Sequence, residues 1–235
     1  MASGRIFPLI ALSLALAGCA TSGRDFPRPS AEALKLGETT TADLVQKLGP
    51  PLAQEVNTVD PPAPPPNAPE KSPFDVAPEH GVATIYRYFF SGPAAPAVGG
   101  ESGARQAVFV LWNGKLVGYS YVSNFKADNT NFLEDRMASI VKGKTTEDEV
   151  IALLGKSTGS AIFPLILDKA DRKEVYQYVD SNRQTLQTSS KLLEILYGPG
   201  NIVRDYHFAS NSRPLPPPQT GGTSVIPIII PTVRK

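Results

Sequence analysis

Apolar positions recur at helical spacing in two short stretches of this chain. In "GETTTADLVQKLG" (residues 37–49) they are Leu44, Val45 and Leu48, and in "GKTTEDEVIALLG" (143–155) they are Val150, Ile151 and Leu154, one stripe each. The two stretches are one pattern written twice, 106 positions apart. Such self-similarity changes the expected fold, because a repeated unit of supersecondary structure builds a repeated domain. Each copy places a threonine three residues before an acid, Thr40 with Asp43 and Thr146 with Glu149. That is capping-box spacing: the hydroxyl accepts from an orphan amide of the first helical turn while the carboxylate reaches back. Gly49 and Gly155 follow where a left-handed cap needs a residue without Cβ, and Pro50 with Pro51 forbids continuation in the first copy. Gly37 and Gly143 end an earlier helix in the same way. It is clearest in "NFLEDRMASIVKG", where Leu133, Met137 and Val141 or Ile140 share a face, and its counterpart "SAEALKLG" is shorter.

Downstream the pattern changes to strand. "ATIYRYFF" (83–90) and "KEVYQYVD" (173–180) share an aliphatic, Tyr, polar, Tyr order in the β-branched and aromatic residue types that suit a pleated surface. "VFVLWNGKLVGYSYV" supplies two apolar runs around Asn113-Gly114, the dipeptide best suited to a type I′ hairpin. "LLEILYGPGNIVRDYHF" does the same around a four-residue loop, and the hairpins end alike in "YSYVSN" and "YHFASN". The expected fold is therefore α+β: two tandem repeats, each two short helices packed on a three-stranded antiparallel sheet. The first spans 30–125 with a Pro-rich insertion at 60–79, and the second spans 126–212.

Proline is concentrated in "DPPAPPPNAPEKSP" (60–73) and "RPLPPP" (213–218), and the 23 prolines are near twice the usual share. Such stretches favour extended polyproline II and stay out of sheet ladders. Residues 91–104, rich in Gly, Ala and Pro, are expected to be a mobile loop. The 213–235 tail ends in "SVIPIIIPTVRK", too short to cross a membrane and barred by proline from a helix. It is expected to dock as an extended strand on an edge of its own sheet or on a partner.

The amino terminus changes the setting. "MASGRIFPLIALSLALAGC" has one arginine, an apolar run of about a dozen residues and then small residues, the form of a secretory signal and too short a run to span a bilayer. Residues 1–18 are expected to be that signal, and 19–29 a tether. "LAGC" (16–19) resembles the lipobox of bacterial lipoproteins, which implies cleavage before Cys19 and its acylation. Cys19 is the only cysteine, so an internal disulfide is excluded. By the same likeness, Ala20 in place of aspartate implies the outer membrane rather than the inner, with the protein facing the periplasm. Removing residues 1–18 takes away Arg5 and lowers the basic count from 23 to 22, against 22 acidic side chains. This balance argues against nucleic-acid binding and against attachment to lipid by charge.

Little in the chain suggests catalysis. His80 and His207 lie far apart in sequence, no HExxH, GxSxG or P-loop pattern occurs, and no Cys/His spacing suggests zinc. The expectation is a protein that is not an enzyme, with no cofactor, no metal and no evident small-molecule substrate. The tyrosines are more suggestive: Tyr86 and Tyr88, Tyr119 and Tyr121, and Tyr176 and Tyr178 are each two apart, so each pair points to one face of its strand. Two readings stand, an aromatic row that binds a partner on the face away from the helices, and tyrosines that complete the core or the contact between repeats.

Glycine, a threonine pair, an acid, aliphatics and Leu-Gly behind a lipoprotein signal resemble the SmpA/OmlA (BamE-like) family of small outer-membrane lipoproteins. The likeness implies two helices on a three-stranded sheet in each copy. Leu48, Gly49, Pro50 and Pro51 keep the family's Leu-Gly-x-Pro, whereas Ser157 stands where the second copy would carry the proline. Tandem units of this kind are also similar to β-lactamase inhibitory proteins, whose paired sheets form a binding surface. The resemblance implies a lipid-anchored binding or scaffold protein in envelope or outer-membrane protein assembly, with envelope proteins and the barrel-assembly machinery as partners. Its alternatives are an inhibitor or regulator of a periplasmic enzyme and a structural subunit of a secretion or envelope complex.

Overall fold

The computed structural model describes residues 22–61, 69–92, 103–182 and 187–214. The signal, Cys19 and the apolar tail lie outside the described residues.

Among the described residues, nine strands form one antiparallel sheet: β1 (Ser22–Gly23), β2 (Ala53–Val59), β3 (Gly81–Gly92), β4 (Gly103–Trp112), β5 (Lys115–Ser123), β6 (Gly159–Ala161), β7 (Arg172–Asn182), β8 (Gln187–Gly198) and β9 (Ile202–Pro214). Their order is β1-β3-β4-β5-β6-β7-β8-β9, and β2 also pairs with β3. Two α-helices accompany them among the described residues, α1 (Thr41–Leu48) and α2 (Glu147–Leu154).

The expected pair of three-stranded units with two helices each is overturned. The sheet does not break between the halves, because β6 pairs on one side with β5 and on the other with β7. Strand is the dominant structure, and each half keeps one α-helix. The helix expected over "NFLEDRMASIVKG" is a 3₁₀ segment, Glu134–Ser139, entered and left in extended backbone at Leu133 and Ile140 without a side-chain cap. Only part of its expected face packs: Leu133 is 51% and Val141 48% exposed, while Ile140, the alternative to Val141, is buried beside Phe132 and Met137 packs against the same core. "SAEALKLG" forms turns only.

Local signals act as their chemistry dictates. Thr40 Oγ1 accepts from the Asp43 amide at 3.3 Å, and the Asp43 carboxylate accepts from the Thr40 amide at 2.8 Å. Thr146 and Glu149 repeat this at 3.4 and 2.8 Å. Gly49 and Gly155 end the helices at φ of 80° and 84°, which disfavours any residue with a Cβ. Asn113 and Gly114 both take positive φ, as a type I′ turn requires. The second hairpin closes over three residues, Pro199–Asn201, one fewer than expected. Of the loop expected over 91–104, residues 91–92 and 103–104 are strand, and 93–102 lie outside the described residues.

Each half buries its own layer between helix and sheet. Phe26, Leu34, Leu44 and Leu48 pack on Tyr86, Tyr88, Phe109, Leu111 and Leu116. Phe132, Ile140, Val150 and Leu154 pack on Tyr176, Leu193, Ile195, Tyr197 and Val203. Each fully buried aliphatic contributes roughly 1.5–3 kcal/mol. The glycine before each helix is tied to the hairpin: the Gly37 amide donates to the Leu116 carbonyl and the Gly143 amide to that of Val203, both at 2.7 Å. Both hairpins slip register at the same step, Val110/Leu111 and Leu196/Tyr197. Counting from these bulges, Tyr88 corresponds to Tyr176 and Tyr86 to Glu174, two residues out from the alignment the Tyr-x-Tyr text suggests.

Replacing Thr146 with Ala is expected to cost about 1 kcal/mol, the usual worth of a threonine cap, and Thr40→Ala a similar amount. Urea unfolding of the two variants checks this, and unchanged midpoints would show the caps to be idle.

Candidate functional site

The tyrosine pairs do not form an exposed row. Tyr86, Tyr88, Tyr119, Tyr121 and Tyr176 are buried, Tyr178 is half-buried, and Tyr86, Tyr88 and Tyr176 face the helices. The Tyr88 hydroxyl donates to the Gly49 carbonyl at 2.9 Å and the Tyr176 hydroxyl to the Gly155 carbonyl at 3.1 Å, so each pins the end of its helix to the sheet. Tyr121 donates to Asp128 at 2.6 Å, Tyr86 lies 3.4 Å from the Thr41 hydroxyl, and Tyr119 stacks on Phe109. Lys191 lies over the Tyr178 ring at 5.5 Å. Burial pushes the Tyr88 hydroxyl up to about 12 and raises those of Tyr119, Tyr121, Tyr176 and Tyr178. The recognition reading therefore yields to the structural one: these are core residues whose polar tips tie elements together.

The densest chemistry lies at the seam between the halves. The Glu174 carboxylate on β7 accepts from the Ser157 hydroxyl, from Ser160 at 2.7 Å and from Arg172 at 3.0 Å. Arg172 also pairs with Glu147 in the first turn of α2 and lies over the Tyr197 ring at 5.7 Å. From the amino-terminal segment, Arg28 donates to the carbonyls of Asp128 at 2.7 Å and Ser157 at 2.9 Å. On the opposite face of the sheet the adjacent Lys173, also buried, pairs with Glu194 at 2.8 Å. Burial holds the Glu174 carboxyl above its ordinary range despite the serine and arginine donors. Arg172 is raised by its two carboxylate partners against its own burial. Both oxygens of Glu174 accept hydrogen bonds within the cluster, which ties β6 and the turn before it to β7 and, through Arg172, to α2.

The face away from the helices carries a small groove of 140 Å³ lined by Gln177, Val179, Ser190, Asn211 and Arg213. That is well short of the roughly 300–1,000 Å³ of small-molecule sites. His80 is exposed and pairs with Asp60 at 2.7 Å, while His207 is exposed on β9. Among the described residues, no three His, Cys, Asp or Glu side chains converge as metal ligands.

The feature best suited to recognition is the edge strand β2, which the sequence reading passed over. It pairs with β3 along Ala53–Val59, and no other strand pairs with it among the described residues. Nearly all of it is exposed, Val56 at 58%, and Leu52 just before it at 66%. Glu55 reaches back to Arg87 at 3.6 Å. Natural edge strands are usually short, charged or covered, because an open apolar edge invites another chain. The available signal was "LAQEVNTV" between two proline pairs, in which prolines bound a strand of seven residues.

No protein family, curated protein or solved structure matches the chain.

The raised Glu174 carboxyl fixes a pH dependence. A folded-state pKa above the unfolded value of about 4.5 means that the folded protein binds this proton more tightly. The group's stabilising contribution is then complete below that value and is lost as pH rises through the folded pKa. Wild type should therefore lose stability relative to Glu174→Gln as pH is raised above about 4.5 in urea titrations. A gap that is constant or widens in favour of wild type would contradict the assignment.

Proposed function

We propose that this chain is a non-enzymatic, lipid-anchored binding or scaffold protein of the bacterial outer membrane. It faces the periplasm, contributes to envelope or outer-membrane protein assembly, and receives an extended segment of its partner along β2. The observation that carries the proposal is the open, exposed edge of β2 with Leu52 and Val56 beside it. Strand addition to such an edge supplies main-chain hydrogen bonds for affinity and side-chain contacts for choice of partner. Proteins destined for outer-membrane barrels present unpaired strands until the barrel closes, which is the chemistry this edge complements. The lipobox ending at Cys19 and the SmpA/OmlA-like motif around both capping boxes support the location and the setting.

A photo-crosslinker placed at Leu52 or Val56 in native membranes should capture an envelope protein, and the same group at Ile151, an exposed aliphatic on α2, should not. Leu52→Lys with Val56→Lys should reduce capture at a neighbouring β2 position at least fivefold while the melting temperature holds. Equal capture from Ile151, or capture indifferent to both lysines, would refute docking on this edge.

A further inference from the structure

We infer that one end of the sheet lies against the bilayer, so that the protein stands on the membrane with its strands rising away from it. The inference rests on the proposed acylation of Cys19. The chain is fixed to the sheet almost as soon as it leaves that residue. Ser22 and Gly23 pair with Ser91 and Phe90. Gly23, at φ +78°, runs so close to β3 that a Cβ would sit 2.0 Å from the Phe89 carbonyl oxygen. Phe26 is buried between Tyr88 and Tyr121, at ring separations of 5.7 and 6.2 Å. Arg105 donates to the Phe26 carbonyl at 3.0 Å and pairs with Asp25 at 3.1 Å, and Arg28 bonds onward into the seam. Only Ala20 and Thr21 lie between Cys19 and Ser22, and the three backbone steps, even fully extended, span only about 11 Å. A tether this short cannot let the domain tumble freely.

The strand register identifies the end that is held down. β1 sits where β3 ends, and Gly92 there pairs with Gly103 at the start of β4. β5 ends beside β4 at the same place, with Ser123 opposite Arg105. Through β6, Gly118 aligns with Lys173 and Ser120 with Val175, so β5 and β7 run the same way and β7 also ends here. Asn182 pairs with Gln187, and Gln187 with Pro214, which brings the end of β9 to this edge as well. The opposite end carries the Asn113–Gly114 and Pro199–Asn201 turns and the amino-terminal ends of both helices, bridged to the hairpins at Thr40–Lys115 and Thr146–Ile202. At about 3.4 Å per residue the two ends of β9 are some 40 Å apart. β2 shares the edge of β3 that β1 uses but pairs with residues 81–87, toward the opposite end of that strand, so the binding edge is held clear of the lipid.

The test uses the acylated protein in vesicles of phosphatidylethanolamine and phosphatidylglycerol containing a headgroup-labelled acceptor lipid. Acylated Cys19 has no free thiol and is the only cysteine, so single cysteines carry the donor: Lys126→Cys and Ser212→Cys at the near end, Lys144→Cys at the far end, all exposed positions. Energy transfer from 126 and 212 should exceed that from 144 at least twofold, at low and high salt alike. Equal transfer, or greater transfer from 144, overturns the orientation. An intact mass without acyl chains overturns the lipid anchor itself, which separates failure of that reading from failure of this one.

Discussion

The rest of the structure depends on the three residues of β6, where two half-sheets become one. Gly159, Ser160 and Ala161 have little side chain, and this is what lets β5 and β7 be bridged by so short a strand. A Cβ on Gly159 would sit 2.5 Å from the Tyr119 carbonyl oxygen, and one on Gly118, opposite Ala161, would meet Leu165 at the same distance. The close approach then determines the polar chemistry beside it. Ser157 just before the junction and Ser160 within it donate to the buried Glu174, while Arg172 carries the connection to α2. Burying such a pair costs desolvation that only well-formed hydrogen bonds offset. The seam is thus a place where loss of one partner strands the others.

What could be read from the sequence was local. Both capping boxes, both glycine helix ends and the Asn113-Gly114 turn depend on residues within a few positions of one another, and all formed. The sheet's continuity depends on Gly159–Ala161, which has no alternation and no β-branched residue to announce a strand. β2 was missed for the opposite reason: exposed on both faces, it has no buried period to detect. The Tyr-x-Tyr alignment misled because its residues match by text while the bulges set the spatial register, so Glu174, not a tyrosine, occupies the position of Tyr86. The helix expected before Gly143 is a 3₁₀ segment bounded by extended backbone at Leu133 and Ile140; of its expected face Ile140 and Met137 pack on the core, beside Phe132, while Leu133 and Val141 are exposed.

The site was less legible than the fold. Tyrosine pairs on alternating positions mark one face of a strand, but the pattern cannot say which face the helices cover; here they cover the tyrosines, whose hydroxyls bond to Gly49 and Gly155. A rigid double core, a strap at Phe26 and Arg28 that touches both halves, and an open β2 edge together describe a platform. The proposed docking rests on the exposed margin of β2 and not on the buried seam.

If β6 welds the halves, they must unfold together. The direct measurement is a urea titration followed in parallel by fluorescence of Trp112, the single tryptophan and a β4 residue, and by hydrogen exchange of β8 amides in the other half. Coincident midpoints, shifted downward together by Gly159→Val, are the predicted result. Separate midpoints, with β8 opening while Trp112 remains native, would contradict the account.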